Sequence, residues 1–352
     1  MAFAKLNSMK FVGLDGLSHF WSKAKTLIMG QITAEVTARE NADTALQQSI
    51  TDLEASVDEK IGSIDISAAL SHIKQYDFVV DSNETLLAWA NCTDGSMKSV
   101  LVKSGEYTLD GKMINLVNAG TKFVFAEDGN KITVSNYFRG IGATEDYGAV
   151  IIGLNVESIY SINGEDCYAF YRGMICYNCT GTGTKIGNWS GHGFYECTCY
   201  NCAGTGTASN GNSFESCVCN NCTGTSTAYN GCGFRNCTCS NCTGNSNGAG
   251  FYKCTCSNCT GFGTRGFNNC TCSNCTGEGT GVKDFSNGYG FNNCTCSNCT
   301  GKGRKGTGVK GYGFYDCKHC SSCRVEAIET GGAAWGGTNT YIDSDSCNHV
   351  AA

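Results

Sequence analysis

The chain contains no proline, and only 16% of its 352 residues are charged. With 47 glycines beside that absence, the composition suits an elongated, backbone-rich architecture better than a compact enzyme. A basic excess is also missing: the formal net charge is -6, so the electrostatic footprint of a general nucleic-acid binder is absent. No apolar run approaches the roughly 18 residues of a membrane span, and no membrane insertion is expected. The N-terminus, MAFAKLNSMKFVGLDGL, lacks an apolar signal-peptide core and a cleavage site, so synthesis in a cytoplasm without a signal peptide is expected.

What the chain has is cysteine, 27 residues of it. In a small exported domain that number would announce a disulfide scaffold; without an export signal the expectation is reduced thiols.

The cysteines are periodic. GFYECTCYNCAG (193–204) returns as SFESCVCNNCTG, GFRNCTCSNCTG, GFYKCTCSNCTG and, twice, GFNNCTCSNCTG. An aromatic column runs Tyr171, Phe194, Phe214, Phe234, Phe251, Phe267, Phe291 and Phe314. Three residues after each aromatic stands the first core column, Met174 and then Cys197 to Cys317; a second cysteine follows two residues on and a third after three more. An asparagine (Asn178 to Asn298) precedes each third cysteine, and a glycine (Gly181 to Gly301) lies two residues beyond it. Successive coils differ by 16 to 24 residues, all the variation falling between that glycine and the next aromatic.

A fixed core of this period, with glycine or asparagine at the corners, is what a right-handed parallel β-helix requires, its coils stacking at about 4.8 Å. No coil buries its inner face alone, so stability comes from its neighbours. Cysteine suits the interior of a thin solenoid because the free thiol is a small hydrophobe. The aromatics are expected to stack through the core, and a single outward Thr column (Thr198, Thr238, Thr255, Thr271, Thr295) runs between the cysteines. A zinc reading of CxCxxC is set aside because strand neighbours two apart lie about 6.6 Å from each other, whereas sulfurs on one zinc would lie about 3.7 Å apart. No metal and no cofactor are therefore expected, while disulfides between stacked coils stay open. The NCT triplets match a glycosylation acceptor, but the asparagine is read as a buried structural corner.

In chain order, residues 1–26 read as a docking segment. Residues 27–64 carry a heptad pattern with Ile32, Arg39, Leu46, Leu53 and Lys60 at one seam position and Val36, Asp43, Ile50, Val57 and Ile64 at the other. This reads as a coiled-coil stalk whose β-branched seam residues favour three chains and whose Arg39 and Asp43 layers cost stability but fix register. Residues 77–173 alternate as short strands (DFVV, SVLVKSGEYTL, KMINLV, TKFVFAE, KITVSNYF) and form the first part of the β-helix with its N-terminal cap. There, Asp81 and Glu84 make a capping-box spacing ahead of a short helix, LLAWAN. Residues 174–323 are the cysteine-rich repeats and 324–352 a C-terminal cap.

FVGLDGLSHFWSKAKTLI, followed by a stalk reading ITAEVTARENADTALQQSI and a β-helix, resembles tail fibre or tailspike-type proteins of phages and prophages of Gram-positive gut bacteria. SNETLLAWAN to SVLVKSGEYTLDGKMINL is similar to the opening of pectin-lyase-like right-handed β-helices. The resemblance implies a homotrimer on a virion or phage-tail-like particle, attached to a tail or baseplate protein through its N-terminus.

Some tailspike-type proteins cut polysaccharide, and glycoside hydrolysis needs two carboxylates about 5–9.5 Å apart. In the repeats, no column holds acids on adjacent coils; Glu165 and Asp166 read as a solvated turn, and His192 and His319 as surface residues without an identifiable partner. No catalytic residue is therefore assigned. The elastic loops are the expected receptor-binding surface, with Trp189, Tyr229, Phe262, Phe285, Tyr289 and Tyr312 for sugar faces and Lys302, Arg304, Lys305 and Lys310 for an anionic wall polymer. The reading is a non-enzymatic tail fibre or adhesin that binds a cell-surface glycan; the alternative is a depolymerase that cleaves one.

Overall fold

The computed structural model describes residues 76–327 apart from 144–146, 161–164, 187–189, 281–286 and 305–310, with residues 333–336 and 348–350 and isolated helical positions Asn41, Gln48 and Ser49. The docking segment and most of the expected stalk lie outside the described residues. From Gln75 onward the chain forms one compact unit.

That unit is a right-handed-type parallel β-solenoid of three sheets, with 12, 12 and 11 strands. Each coil gives one strand to each sheet in turn. Thr198–Tyr200 lies in the first sheet, Ala203–Gly206 in the second and Phe214–Glu215 in the third, before the next coil returns with Val218–Asn220. The pairing is in register, so Cys199, Cys219, Cys239, Cys256, Cys272 and Cys296 stack one above another.

The early coils are filled by Val, Ile and Leu, and helix α1 (Asn83–Asn91) closes their open end with buried Leu86 and Trp89. Its cap is Ser82 with Thr85, and Asp81 instead accepts a hydrogen bond from the Thr85 hydroxyl at 3.2 Å. The expected Asp81/Glu84 box is thus displaced by one residue, since Thr85 reaches back to the Ser82 N–H as well as a longer acid would. KMINLV likewise divides into a two-residue strand (Ile114–Asn115) and a helical turn, α2 (Leu116–Ala119), because the Asn115 side chain caps the N–H groups of Val117 and Asn118.

Beyond Met174 the interior is thiol and phenyl. Phe170, Phe194, Phe214, Phe234, Phe251, Phe267, Phe291 and Phe314 stack with ring centroids 4.6–4.9 Å apart and planes within 7°. The ladder therefore begins at Phe170, and Tyr171 faces outward onto Tyr195. The first unit has a longer corner, Arg172–Gly173, which shifts the count by one. Each repeat glycine after the third cysteine faces this ladder: a Cβ on Gly204 would meet the Phe214 ring at 2.7 Å, and one on Gly261 the Phe267 ring at 2.9 Å. These glycines lie within strands and not at corners, as the sequence had suggested; they make room for the phenyl rings.

The corners belong to other residues. Asn178, Asn201, Asn221, Asn241, Asn258, Asn274 and Asn298 adopt positive φ, as expected. A second left-handed corner precedes each first-column cysteine, at Glu196, Ser216, Asn236, Lys253, Asn269, Asn293 and Asp316. Asn221 donates to Asn201 at 2.8 Å and Asn298 to Asn274 at 2.7 Å, so the amides form ladders between coils. These side chains are exposed or half-buried, which corrects the expectation of buried corners.

The corners also explain why cysteine is used. After several of these left-handed residues the next N–H points into the core and is taken by a sulfur. Cys217 N–H donates to the Cys237 sulfur at 3.4 Å, Cys237 to Cys254, Cys254 to Cys270, and Cys222 to Cys242, each one coil on. The same sulfurs donate to carbonyls two residues back, as Cys217 does to Glu215 O at 3.3 Å. Valine could fill the space but would leave these polar groups unsatisfied. A second outward Thr column, Thr180, Thr223, Thr243, Thr260, Thr276 and Thr300, runs on the second sheet beside the one foreseen on the first.

Candidate functional site

Of the expected receptor-binding residues, Trp189, Phe285, Lys305 and Lys310 lie outside the described residues. Tyr229 occupies a loop and is 66% exposed. The others are on strands and not in loops. Tyr289 and Tyr312 lie on Gly288–Asn292 and Gly311–Tyr315 of the third sheet, stacked at 5.6 Å, with Tyr315 tilted against both. Phe262, Lys302 and Arg304 lie on the second sheet, where Arg304 pairs with Glu278 at 2.7 Å. The strands run further than the sequence indicated because alternating glycines, as in TGKGR and GYGF, let the second and third sheets continue in close backbone contact: a Cβ on Gly303 would lie 2.2 Å from the Tyr312 nitrogen.

The third sheet carries a face that sequence reasoning missed. In each Gly–Phe pair both residues turn inward; a Cβ on Gly193 would meet Gly181 O and Thr205 N of the second sheet, while Phe194 enters the ring ladder. The residues flanking the pair consequently both face out, although they are three apart. One column on this side reads Tyr168, His192, Asn212, Cys232, Ala249, Arg265, Tyr289 and Tyr312, of which His192, Asn212, Cys232 and Ala249 are covered by neighbouring groups. The other reads Tyr171, Tyr195, Glu215, Arg235, Tyr252, Asn268, Asn292 and Tyr315. Strict strand alternation hides this arrangement; the variable positions on either side of the small residue–Phe pair (Gly in most coils, Ala169 and Ser213 in two) were the available signal.

Midway along this face the columns dip. Cys232 and Ala249 are small, and the connection between the second and third sheets shrinks from Thr227–Gly231 to Asn247–Gly248 and then to Thr264 alone. The result is a cleft of about 370 Å³ lined by Tyr229, Arg235, Tyr252, Arg265, Asn268 and neighbouring asparagines. A second cleft of about 410 Å³ adjoins it on the second sheet, with Phe262, Glu278 and Thr280. Tyr229, Asn247 and Thr264 line both and form the ridge between them. The ridge is tied across coils by Asn247 Nδ2 to Thr227 O at 3.0 Å and Thr264 Oγ1 to Asn247 O at 2.7 Å.

A polar cluster lies two coils earlier. His192 is buried, not a surface residue: Asp166 Oδ2 lies 3.7 Å from its Nε2, Glu215 Oε2 lies 3.2 Å from its Nδ1, and Tyr168 stacks on the ring at 5.0 Å. Asp166 also accepts the Ser190 N–H at 2.9 Å, so it belongs to this cluster and not to a solvated turn. Burial would raise its carboxyl, but His192 and Ser190 hold it below the ordinary carboxylate range. Burial, then the nearby Asp166 and Glu215, raise Tyr168. An imidazole between two carboxylates is a chemically capable group, yet its ring fills the gap in which a glycosidic bond would have to lie.

The thiols converge more closely than sequence spacing allowed. Sulfurs of Cys199, Cys217 and Cys219 lie within 4.8 Å of one another, as do those of Cys219, Cys237 and Cys239, of Cys239, Cys254 and Cys256, and of Cys296, Cys317 and Cys320. The first-column cysteine sits at a bend and swings its sulfur towards the second, so the straight-strand separation does not apply. Such triples have the donor chemistry of a soft-metal site. Their thiols are unequal: burial raises Cys199, Cys219 and Cys239, whereas at Cys217 and Cys254 burial is outweighed by hydrogen bonds from neighbouring thiols, which lower the thiol pKa.

No protein-family model matches the sequence, and no curated protein matches it. Among solved structures, the chain is similar to the catalytic domain of a GH87 alpha-1,3-glucanase in complex with nigerose, at 12% identity and a TM-score of 0.42, over 77% of this chain and 68% of that one. It is similar to the A-module of the Azotobacter vinelandii mannuronan C-5 epimerase AlgE4 at 9% identity and a TM-score of 0.32, over 80% and 99% of the two chains. It is also similar to tailspike protein 2 of Escherichia coli O157:H7 bacteriophage CAB120, at 8% identity and a TM-score of 0.33, over 72% and 39%. At these identities the likeness assigns no residue and no activity to this chain.

Proposed function

We propose that the chain is a structural and host-recognition component of a phage or phage-tail-like particle, and that it binds a cell-surface glycan in the paired clefts about Tyr229. The observation that carries the glycan reading is the ridge itself: an exposed tyrosine between two adjoining clefts with further aromatic rings, Tyr252 and Phe262, and several side-chain amides. Aromatic faces pack against the apolar faces of sugars, and amides satisfy their hydroxyls. The particle reading rests on the N-terminal docking segment and heptad stalk in the sequence, which also support a homotrimer attached at that end.

The depolymerase alternative would draw on the Asp166–His192–Glu215 cluster, whose imidazole would have to swing aside to admit a glycosidic bond. Incubation of the protein with host-wall glycans separates the readings. Binding without release of oligosaccharide, lost in Tyr229→Ala, supports recognition; released oligosaccharide, abolished by Glu215→Gln, supports cleavage.

A further inference from the structure

We infer that the ligand of the third-sheet cleft is an anionic polymer, bearing phosphodiester or carboxylate groups, and that Arg235 and Arg265 hold its charges. This deepens the glycan reading and rests on it. The cleft lining contains two guanidinium groups, Arg235 and Arg265, and no acidic side chain. Asn210, Asn230, Asn247 and Asn268 supply amides beside them.

Both arginines are under-satisfied. Their Nε atoms are buried and make no hydrogen bond. The Arg235 Nε is 3.8 Å from Glu215 Oε1, too far for one, and the other Glu215 oxygen already takes the Asn212 amide at 3.1 Å and faces His192. For Arg265 no ion pair occurs among the described residues. The Nε atoms of Arg139 and Arg172 are covered in the same way, but those side chains have close partners: Arg172 pairs with Glu196, and Arg139 lies over the Tyr171 ring at 4.0 Å and donates to its hydroxyl at 3.3 Å. The Arg235 side chain is nevertheless 41% exposed, so the outer part of its guanidinium is open to an oxyanion that would accept charge-assisted bonds. Lys253, whose Nζ is 5.3 Å from the centre of the Tyr252 ring, adds further positive charge at the edge of the same cleft.

The spacing points to a polymer and not to a single small anion. Arg235 stacks on Tyr252 and Tyr252 on Asn268, the coil of Arg265, so the two guanidinium groups stand two coils apart. At about 4.8 Å per coil this is roughly 10 Å along the axis. A chain bearing repeated negative groups can satisfy both arginines while its sugars or polyols cross the Tyr252 ring between them. The second cleft takes no part in this charge recognition, because its one acid, Glu278, is already paired with Arg304.

The test uses the full chain, immobilised, with three soluble probes: poly(glycerol phosphate), polygalacturonate and neutral dextran. The inference predicts binding of at least one anionic probe and little of dextran, weakening as salt rises towards about 0.5 M. Arg265→Gln should weaken the anionic interaction about tenfold or more, and Arg265→Lys, which keeps the charge but loses the planar fork, should retain part of it. The preference between the two anionic probes identifies phosphodiester or carboxylate as the recognised group. Equal binding of dextran, or anionic binding unaffected by salt and by both Arg265 variants, overturns the inference; if Tyr229→Ala still abolishes that binding, the glycan reading survives. Failure of all three probes, together with host-wall glycan binding that Tyr229→Ala leaves unchanged, overturns both. Should Arg265→Gln fail to fold, Arg265→Lys and the salt series decide.

Discussion

The backbone N–H of Cys222 donates to the sulfur of Cys242, one coil further along, at 3.4 Å. Cys239 sits three residues earlier on the same coil and is equally buried, but it belongs to the second column, whose role is packing. Cys242→Ala should therefore destabilise the solenoid by about 1 kcal/mol more than Cys239→Ala, because it also orphans a buried donor. Denaturant midpoints of the two variants make the comparison; equal losses would reduce every cysteine to a space-filler.

Gly261 lies against the phenyl ladder, where an added Cβ would sit 2.5 Å from Gly266 O and 2.9 Å from the Phe267 ring. Gly261→Ala should cost about 1–3 kcal/mol or more through overpacking. Thr260→Ala, on the outward side of the same strand, should change stability by no more than about 0.5 kcal/mol. Thermal melts of both variants test the difference.

Asp166 has its carboxyl held low by His192 and Ser190 against the opposing effect of burial. A depressed folded-state value means that the carboxylate stabilises the fold at neutral pH and that the contribution is lost as pH falls through that value, below the ordinary Asp pKa of about 3.9. Asp166→Asn should melt earlier than wild type near pH 7, with the gap closing in acid. A gap that stays constant from neutral to acidic pH would remove Asp166 from the cluster's electrostatics.

The heptad seam predicts three chains. The intact protein should show three times its monomer mass by light scattering, and a chain beginning at residue 77 should be monomeric. A monomer in both cases would remove the stalk from the account.

Much of the solenoid could be read from the sequence because its determinants are local and repeated. Asparagine at a fixed place in every unit announces a left-handed corner, and a phenylalanine repeated in every coil announces a stack. The second corner is harder to read because only Asn236, Asn269 and Asn293 carry the asparagine signal there; at Glu196, Ser216, Lys253 and Asp316 stacking, not residue type, imposes the positive φ. His192 was misread for a related reason. Its partners Asp166 and Glu215 come from the preceding and following coils, at distances set by variable loops that spacing does not reveal. The cleft is not legible in the sequence because it is made by what is small or short, Cys232, Ala249 and the single-residue connection at Thr264; aromatic content points to Tyr229 but not to the floor beside it.

The most direct measurement is hydrogen exchange of the intact protein with and without bound host-wall glycan. The account predicts protection confined to Tyr229–Asn230, Asn247–Ala249 and Thr264–Asn268, the segments that bound the ridge and the arginine cleft. Protection absent there and centred instead on the 289–315 tyrosines, or on the Asp166–His192 segment, would contradict it.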